Sequence, residues 1–431
     1  MARRGDRGIA EVDMEANVTG TRPRVGVWGV FGRGNFGNEA TLAALLGRLR
    51  VAGADAILFC EDPGAATSLH GVPARRLGAP AASHGSRLAR LWQTGMNRLR
   101  LVRGAFEAVG TVDSVVIAGT GGLERYGSGA FGTPFEIWSL GVAARLRGRS
   151  FVLLDIGVEY LPRAIARFFV RGAARAASYR SYRDAASREC MVRTGVAAAG
   201  DDAVVADLAL WLDAPAAEER EPDRVVVGVM DYWGRDSEPD AEAANRRYVA
   251  SCRELVGDLL AAGWKVDLVG GDEVDLGVAR RLAAEAGSDD VGVVEARSPE
   301  ALTRTMARAS VVVGTRFHTL VMALIAQTPI VSVGYGEKHR ALLLQLDRPD
   351  QHVDVEAFSP AEVAALVSRA AADPGLRDGI ARLVTEARER LDREWVTVLP
   401  VLSPPRPVHR RSSPPWRGWP RPCRATSGRD A

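Results

Sequence analysis

The chain has few cysteines, and they form no pattern. Cys60, Cys190, Cys252 and Cys423 stand far apart in 431 residues. There is no CxxC pair and no Cys/His grouping at ligand spacing, so a structural zinc site is not expected and a disulfide framework has no support. A reducing cytosol fits this usage. Long uninterrupted apolar runs are also missing. The longest, Val311–Val333, is broken by Arg316 and His318, which argues against a membrane span. The opening MARRGDRGIAEVDMEANVTG is charged but has no apolar segment, so it does not read as a secretory signal. Charge of one sign is scarce as well. Residues 403–431 hold seven arginines against one aspartate, which more than accounts for the net charge of +3. The remaining body is slightly acidic and is not that of a general nucleic-acid binder. These absences predict a soluble cytoplasmic protein with no nucleic-acid partner.

What is present is ordinary globular material, 47% apolar and 25% charged, at a length that predicts two domains. Residues 1–22 are polar and aperiodic and read as a disordered leader. RVGVWGV, from Arg24, reads as a first strand; it runs into the glycine-bearing FGRGNFGNEA and a helix over roughly Glu39–Arg50. Residues 63–84, rich in Ala, Gly and Pro, read as a loop. A buried strand, Ser114–Ala118, ends in a second glycine cluster, Gly119, Gly121 and Gly122. Glycine turns after two strands of one sheet would line the same carboxyl edge, where open α/β sheets bind ligands. The helix over 162–177 carries Arg163, Arg167, Arg171 and Arg175. This stripe reads first as a solvated face, with contact to an acidic membrane surface as the alternative.

The polar APAAEEREPD at 214–223 reads as a linker. A second βα series follows from RVVVGVMDYW. The expected organisation is therefore a Rossmann-like domain at 23–213, the linker, a second Rossmann-like domain with a closing helix at 224–400, and a disordered Pro/Arg-rich tail at 401–431.

The most informative stretch is ASVVVGTRFHTLVMALIAQTPIVSVGYGEKH, residues 309–339. It reads as a buried strand, a tight turn at Gly314-Thr315, a helix from Phe317 to about Gln327 and a second buried strand, a parallel βαβ unit covered on both faces. Arg316 and His318 fall where the first strand becomes the helix. A cation at a helix N-terminus, whose free N–H groups already favour an anion, points to a phosphate or carboxylate guest.

The spacing from Gly314 and Arg316 through His318, Ala323, Pro329 and Tyr335 to Lys338 resembles the C-terminal signature of the polysaccharide pyruvyl transferase family. GRGNFGNEA is similar to that family's N-terminal glycine motif, with Asn38 where an aspartate is common. Arg183, Asp184 and Ser187 resemble its central segment, and ADLAL at 206–210 the element that follows. The resemblance spans roughly residues 24–345. It implies a GT-B-like fold of two doubly wound α/β domains and transfer of a pyruvyl group from phosphoenolpyruvate to a sugar diol of a glycan, as a ketal.

Under that resemblance Arg316, Lys338, Arg183 and Gly314 hold the donor, and His318 supplies or positions a proton, imidazole being the side chain that ordinarily titrates near neutrality. Arg316 takes part in the chemistry too, and Glu39 engages the acceptor. Gly34, Asn35, Gly37, Asn38, Gly121, Gly122 and Asp231 form the cleft wall or acceptor side. Neither a prosthetic group nor a metal is called for. The partners are phosphoenolpyruvate and a sugar or glycan, with peripheral contact at the inner face of a membrane allowed. The rival readings are a GT-B glycosyltransferase using a nucleotide sugar and a non-catalytic relative that binds a glycan or a nucleotide sugar.

Overall fold

The structure, a computed structural model, describes residues 22–78, 87–119, 131–158, 161, 163–196, 202–216, 219–235, 239–296 and 298–403. The first seven strands form one parallel sheet: β1 (Arg24–Trp28), β2 (Asp55–Phe59), β3 (Ala74–Arg75), β4 (Ser114–Ala118), β5 (Ser150–Ile156), β6 (Tyr179–Tyr182) and β7 (Ala203–Val204), in spatial order 3-2-1-4-5-6-7. The connecting helices are α1 (Phe36–Val51), α2 (Pro63–His70), α3 (Arg87–Val109), α4 (Thr133–Leu146), α5 (Ala164–Ala176) and α6 (Ala185–Arg193).

Period-two alternation divides these strands between two cores. Val25, Val27, Val116, Ala118, Val152 and Leu154 face one side, while Val115, Ile117, Phe151 and Leu153 face the other. Because both faces are covered, the strands are apolar throughout, as parallel strands in doubly wound sheets are.

The second sheet, also parallel, contains β8 (Arg224–Val229), β9 (Lys265–Gly270), β10 (Val291–Val294), β11 (Val311–Gly314), β12 (Ile330–Gly334) and β13 (His352–Asp354), in order 10-9-8-11-12-13. Its helices are α7 (Ala241–Ala261), α8 (Glu273–Ala286), α9 (Pro299–Arg308), α10 (Phe317–Ile325), α11 (Glu337–Gln345) and α12 (Pro360–Ala372). The strand order reverses between β8 and β11, and Gly314 lies in register with both Gly228 and Ser332. The signature stretch therefore runs through the middle of its sheet, at the switch point where such sheets bind ligands. Two doubly wound domains are thus what the strand pattern foretold.

Two local expectations are corrected. Residues 63–84 are not simply loop: Asp62 accepts from the Ala65 N–H and Pro63 occupies the first helical position, so α2 forms, and β3 follows. Proline breaks helices internally but starts them well, and a composition reading misses the difference. Helix α1 also begins three residues earlier than Glu39, because Asn35 accepts from the Gly37 and Asn38 N–H groups and caps it. Gly32 and Gly34, with φ of 78° and 71°, make the turn, while Gly37 is helical.

The last helix, α13 (Pro374–Leu402), leaves the second sheet and ends on the first. Ser114 Oγ donates to the Leu402 carbonyl, Trp211 Nε1 donates to Asp392 Oδ1, and Tyr179 Oη donates to Glu394 Oε1. Glu394 in turn faces Asp155, which is wholly buried in β5 in a left-handed conformation (φ 48°). Burial raises both carboxyls above their ordinary range; the Glu394 charge raises Asp155 further, while contact with Asp155 and Tyr179 partly offsets the rise at Glu394.

The pair retains a proton that the unfolded chain loses near pH 4. Stability then falls as pH rises above the ordinary carboxylate range, because the folded state binds more protons than the unfolded one. Denaturant titrations between pH 5 and 8 should show that fall in the parent protein and a flatter profile in Glu394→Gln. Equal slopes in the two would contradict a shared proton.

Candidate functional site

The turn between β11 and α10 is held from every side. The Thr315 N–H donates to the Gly228 carbonyl, its hydroxyl lies 2.9 Å from Tyr248 Oη, and its carbonyl accepts from His339 Nε2 at 3.0 Å. His339 is completely buried; burial first, and then the Lys338 charge, push its imidazole down to about 3, so it is a neutral buttress. Helix α10 approaches the sheet so closely that a Cβ on Gly228 would fall 2.5 Å from Thr319 Cγ2, and one on Gly314 would fall 2.6 Å from Leu320 Cδ2. Gly314 is thus required by packing.

Arg316 is the N-cap residue of α10, but its guanidinium turns away to two acids at the start of α8, the N-cap Asp272 and Asp275 in the first turn. It donates to both oxygens of Asp275 and, at 3.0 Å, to Asp272 Oδ2. Burial opposes its charge, yet the two carboxylates outweigh that and hold it more firmly protonated than usual. Asp275 is fully buried and also accepts from the Asp231 and Gly271 N–H groups. Asp231 is committed as well, accepting from Asn245 Nδ2 and Trp233 Nε1. The network pins the first turn of α10 from below.

His318 points across to the first domain. Its Nε2 lies 3.4 Å from Asp207 Oδ2, an ion-pair contact without hydrogen-bond alignment, and both atoms are buried with no hydrogen-bond partner. Asp207 follows β7, and its other oxygen accepts from the Ala209 N–H. Burial works against its ionisation, but His318, then Arg183 and the Ala209 N–H hold the carboxyl below the usual range. Arg183, after β6, lies 3.6 Å from Asp207 Oδ2, bonds Asp184, and sets its guanidinium 4.7 Å from the centroid of the Phe317 ring.

The imidazole rests on α1. A Cβ added to Gly37 would fall 2.1 Å from His318 Nδ1, so only glycine allows the ring this position. One backbone bond, from the Phe36 N–H to the Gly271 carbonyl at 3.2 Å, ties the same turn to the second domain. Asp207 was visible in the sequence only as part of ADLAL; its partnership with His318 spans 111 positions and carries no local signal.

The other expected residues take varied places. Gly34 has nothing within 4 Å of where a Cβ would lie. Asn38 donates from Nδ2 to the Val30 carbonyl, a bond an aspartate could not make. Glu39 is buried, accepting from the Gly32 N–H at 2.8 Å and lying 2.7 Å from His70 Nε2. Gly121 and Gly122 lie outside the described residues. Lys338, in the first turn of α11, lies 5.3 Å from the Tyr335 ring centroid. Arg235, unnoticed in the sequence, fixes that turn by donating to the Tyr335 carbonyl while pairing with Asp354 and Glu356. Also unnoticed was Glu136, in the first turn of α4, whose carboxyl burial pushes up to about 7, with the Glu61 charge adding to the effect.

Helices α10 and α11 both begin without a side-chain cap, whereas α7, α8, α9 and α12 are capped by Asp240, Asp272, Ser298 and Ser359. The two helix N-termini lie at adjacent strand ends, where the helix dipole favours an anion. Among the described residues no group of three or more His, Cys, Asp or Glu side chains could hold a metal ion.

Two doubly wound domains, joined through facing strand edges that bring an acid–imidazole pair together, define a GT-B-like architecture. The same fold is seen in a Listeria monocytogenes protein assigned as a UDP-N-acetylglucosamine 2-epimerase (TM-score 0.59, 10% identity, 88% of this chain and 97% of that one). It is seen too in SnogD, a glycosyltransferase of Streptomyces nogalater (0.53, 16%, 89% and 100%), and in the calicheamicin glycosyltransferase CalG4 (0.53, 13%, 90% and 100%). No curated protein sequence matches the chain. Residues 35–337 match the polysaccharide pyruvyl transferase family, and the chain belongs to it. It is a transferase.

Proposed function

We propose that the protein transfers the pyruvyl group of phosphoenolpyruvate to two hydroxyls of a sugar in a glycan or glycan precursor, releasing phosphate. A proton is added to the methylene carbon of the donor. The carbon that bore the phosphate becomes oxocarbenium-like, and two acceptor hydroxyls bond to it in turn as the C–O bond to phosphate breaks. One hydroxyl proton returns to the acid and the other leaves with phosphate. The observation that carries this reading is the His318–Asp207 pair, two buried polar atoms with no hydrogen-bond partner where the two domains meet.

In this reading His318 delivers the proton and Asp207 orients the ring, as a buried carboxylate does for imidazole elsewhere. The uncapped N-termini of α10 and α11, with Lys338, receive the donor's anionic groups, and Arg183 supplies positive charge from the opposite domain. Arg316 acts as a positioning residue, and so does Glu39, its carboxylate already engaged. A phosphoenolpyruvate donor supports a reaction in the cytoplasm.

A thermal-shift comparison tests the donor. Phosphoenolpyruvate should raise the melting temperature by mass action, about 2.7 kcal/mol of stabilisation at a hundredfold excess over Kd, and Lys338→Ala should lose most of it. Stabilisation by UDP- or GDP-sugars instead would transfer the same site to a nucleotide diphosphate and sink the pyruvyl reading.

A further inference from the structure

Helix α5 has an exposed face with two chemistries. From Tyr160 to Ala177 the chain holds four arginines and no acidic residue. At 100° per residue, the N-cap residue Arg163 and Arg167, Arg171 and Arg175 of α5 form a stripe that runs up to Phe168, with Ile165 beyond it; Arg163 and Arg175 are exposed, whereas Arg167 and Arg171 are half-buried and Arg167 donates to the Leu161 carbonyl. The inner face, Ala166, Phe169, Val170, Ala173 and Ala174, is buried against the domain. Phe168 is 60% exposed and Ile165 42% exposed.

The apolar flank continues onto α4. Phe168 contacts Phe169 and Trp138, and Phe131, 36% exposed, stands edge-on to Phe169 and Phe135. Arg98 of α3 lies over Phe131 at 3.5 Å from its centroid, adding a cation to the rim. Of the acids in the neighbouring strand and helix, Glu136 and Asp155, one is largely covered and the other wholly buried, so neither neutralises the surface.

We propose that this α4–α5 face docks the protein on an anionic lipid bilayer, with Phe168 and Ile165 entering the headgroup boundary and the exposed Arg163 and Arg175 lying against lipid phosphates. Basic and apolar residues on adjoining flanks of one surface helix match the two environments of a membrane interface. A purely solvated stripe explains the arginines but leaves the aromatic cluster beside them exposed for no reason. A second copy of the chain fits poorly, since a twofold contact through this face sets arginines against arginines. The inference is independent of the chemistry proposed for the cleft.

The test is co-sedimentation of the full chain with vesicles of phosphatidylcholine alone or with one third phosphatidylglycerol. The protein should pellet with the anionic vesicles and stay in solution with the neutral ones, and added salt should release it. Phe168→Asp and Arg175→Glu, both at exposed positions, should each weaken binding by about tenfold while retaining the parent melting temperature and binding of phosphoenolpyruvate. Binding left unchanged by both substitutions would assign the membrane contact to another segment and overturn the proposal. So would absence of anionic-vesicle binding, or a dimer in solution that Phe168→Asp dissociates.

Discussion

His318→Ala should lower kcat by about 10²- to 10⁴-fold, the range typical of a lost general acid, in protein that still folds by circular dichroism. The ring is a quarter exposed and makes no hydrogen bond, and its removal leaves the buried Asp207 carboxyl with Arg183 as its cation. Asp207→Asn tests the same unit from the other side: it keeps the shape, and its Oδ1 can still accept from the Ala209 N–H, but it removes the charge facing the imidazole. Gly37→Ala tests position alone. The new methyl would displace the ring, and a shift of about 1 Å in a reacting group can cost on the order of a hundredfold. Residues acting as one unit give non-additive losses, so His318→Ala/Asp207→Asn should be scarcely worse than His318→Ala. Steady-state phosphate release measures all four. A His318→Ala enzyme within tenfold of the parent would remove His318 from the chemistry.

Arg316→Ala should be mainly a stability defect. It leaves the wholly buried Asp275 carboxylate with only the Gly271 and Asp231 N–H groups, and breaking a buried ion pair from one side costs roughly 3–5 kcal/mol. Chemical denaturation should show that loss, and adding Asp275→Asn should recover part of it by removing the stranded charge. An arginine that held phosphoenolpyruvate directly would behave differently: its removal would raise the KM for the donor and leave unfolding unchanged. Unchanged unfolding with a raised KM would return Arg316 to the donor site.

These two cases mark how far the sequence could be read. The strands of the second domain were legible because continuous β-branched runs separated by helices admit little besides a covered parallel sheet. The β11–α10 turn was legible because Arg316 and His318 interrupt such a run. Their different duties were not, since each is decided by residues distant in the chain: Asp272 and Asp275 for the arginine, Asp207 and Gly37 for the histidine. The α5 stripe shows the same limit. Arginine spacing was plain in the sequence, while the exposure of Phe168 depends on how Trp138 and Phe169 fill the space beneath it.

The sequence by itself determined what local patterns can encode: two doubly wound domains, the glycine turns, and the strand–helix junction that carries Arg316 and His318. Period-two and period-3.6 burial and capping act within a few residues, so they are written in neighbouring letters. Only the tertiary structure decided which arginine is spent on buried acids, which carboxylate faces the imidazole, and that the last helix returns to the first sheet. Those outcomes depend on charges and backbones brought together across dozens to hundreds of positions. Desolvation makes each such pairing consequential without leaving any local trace of it.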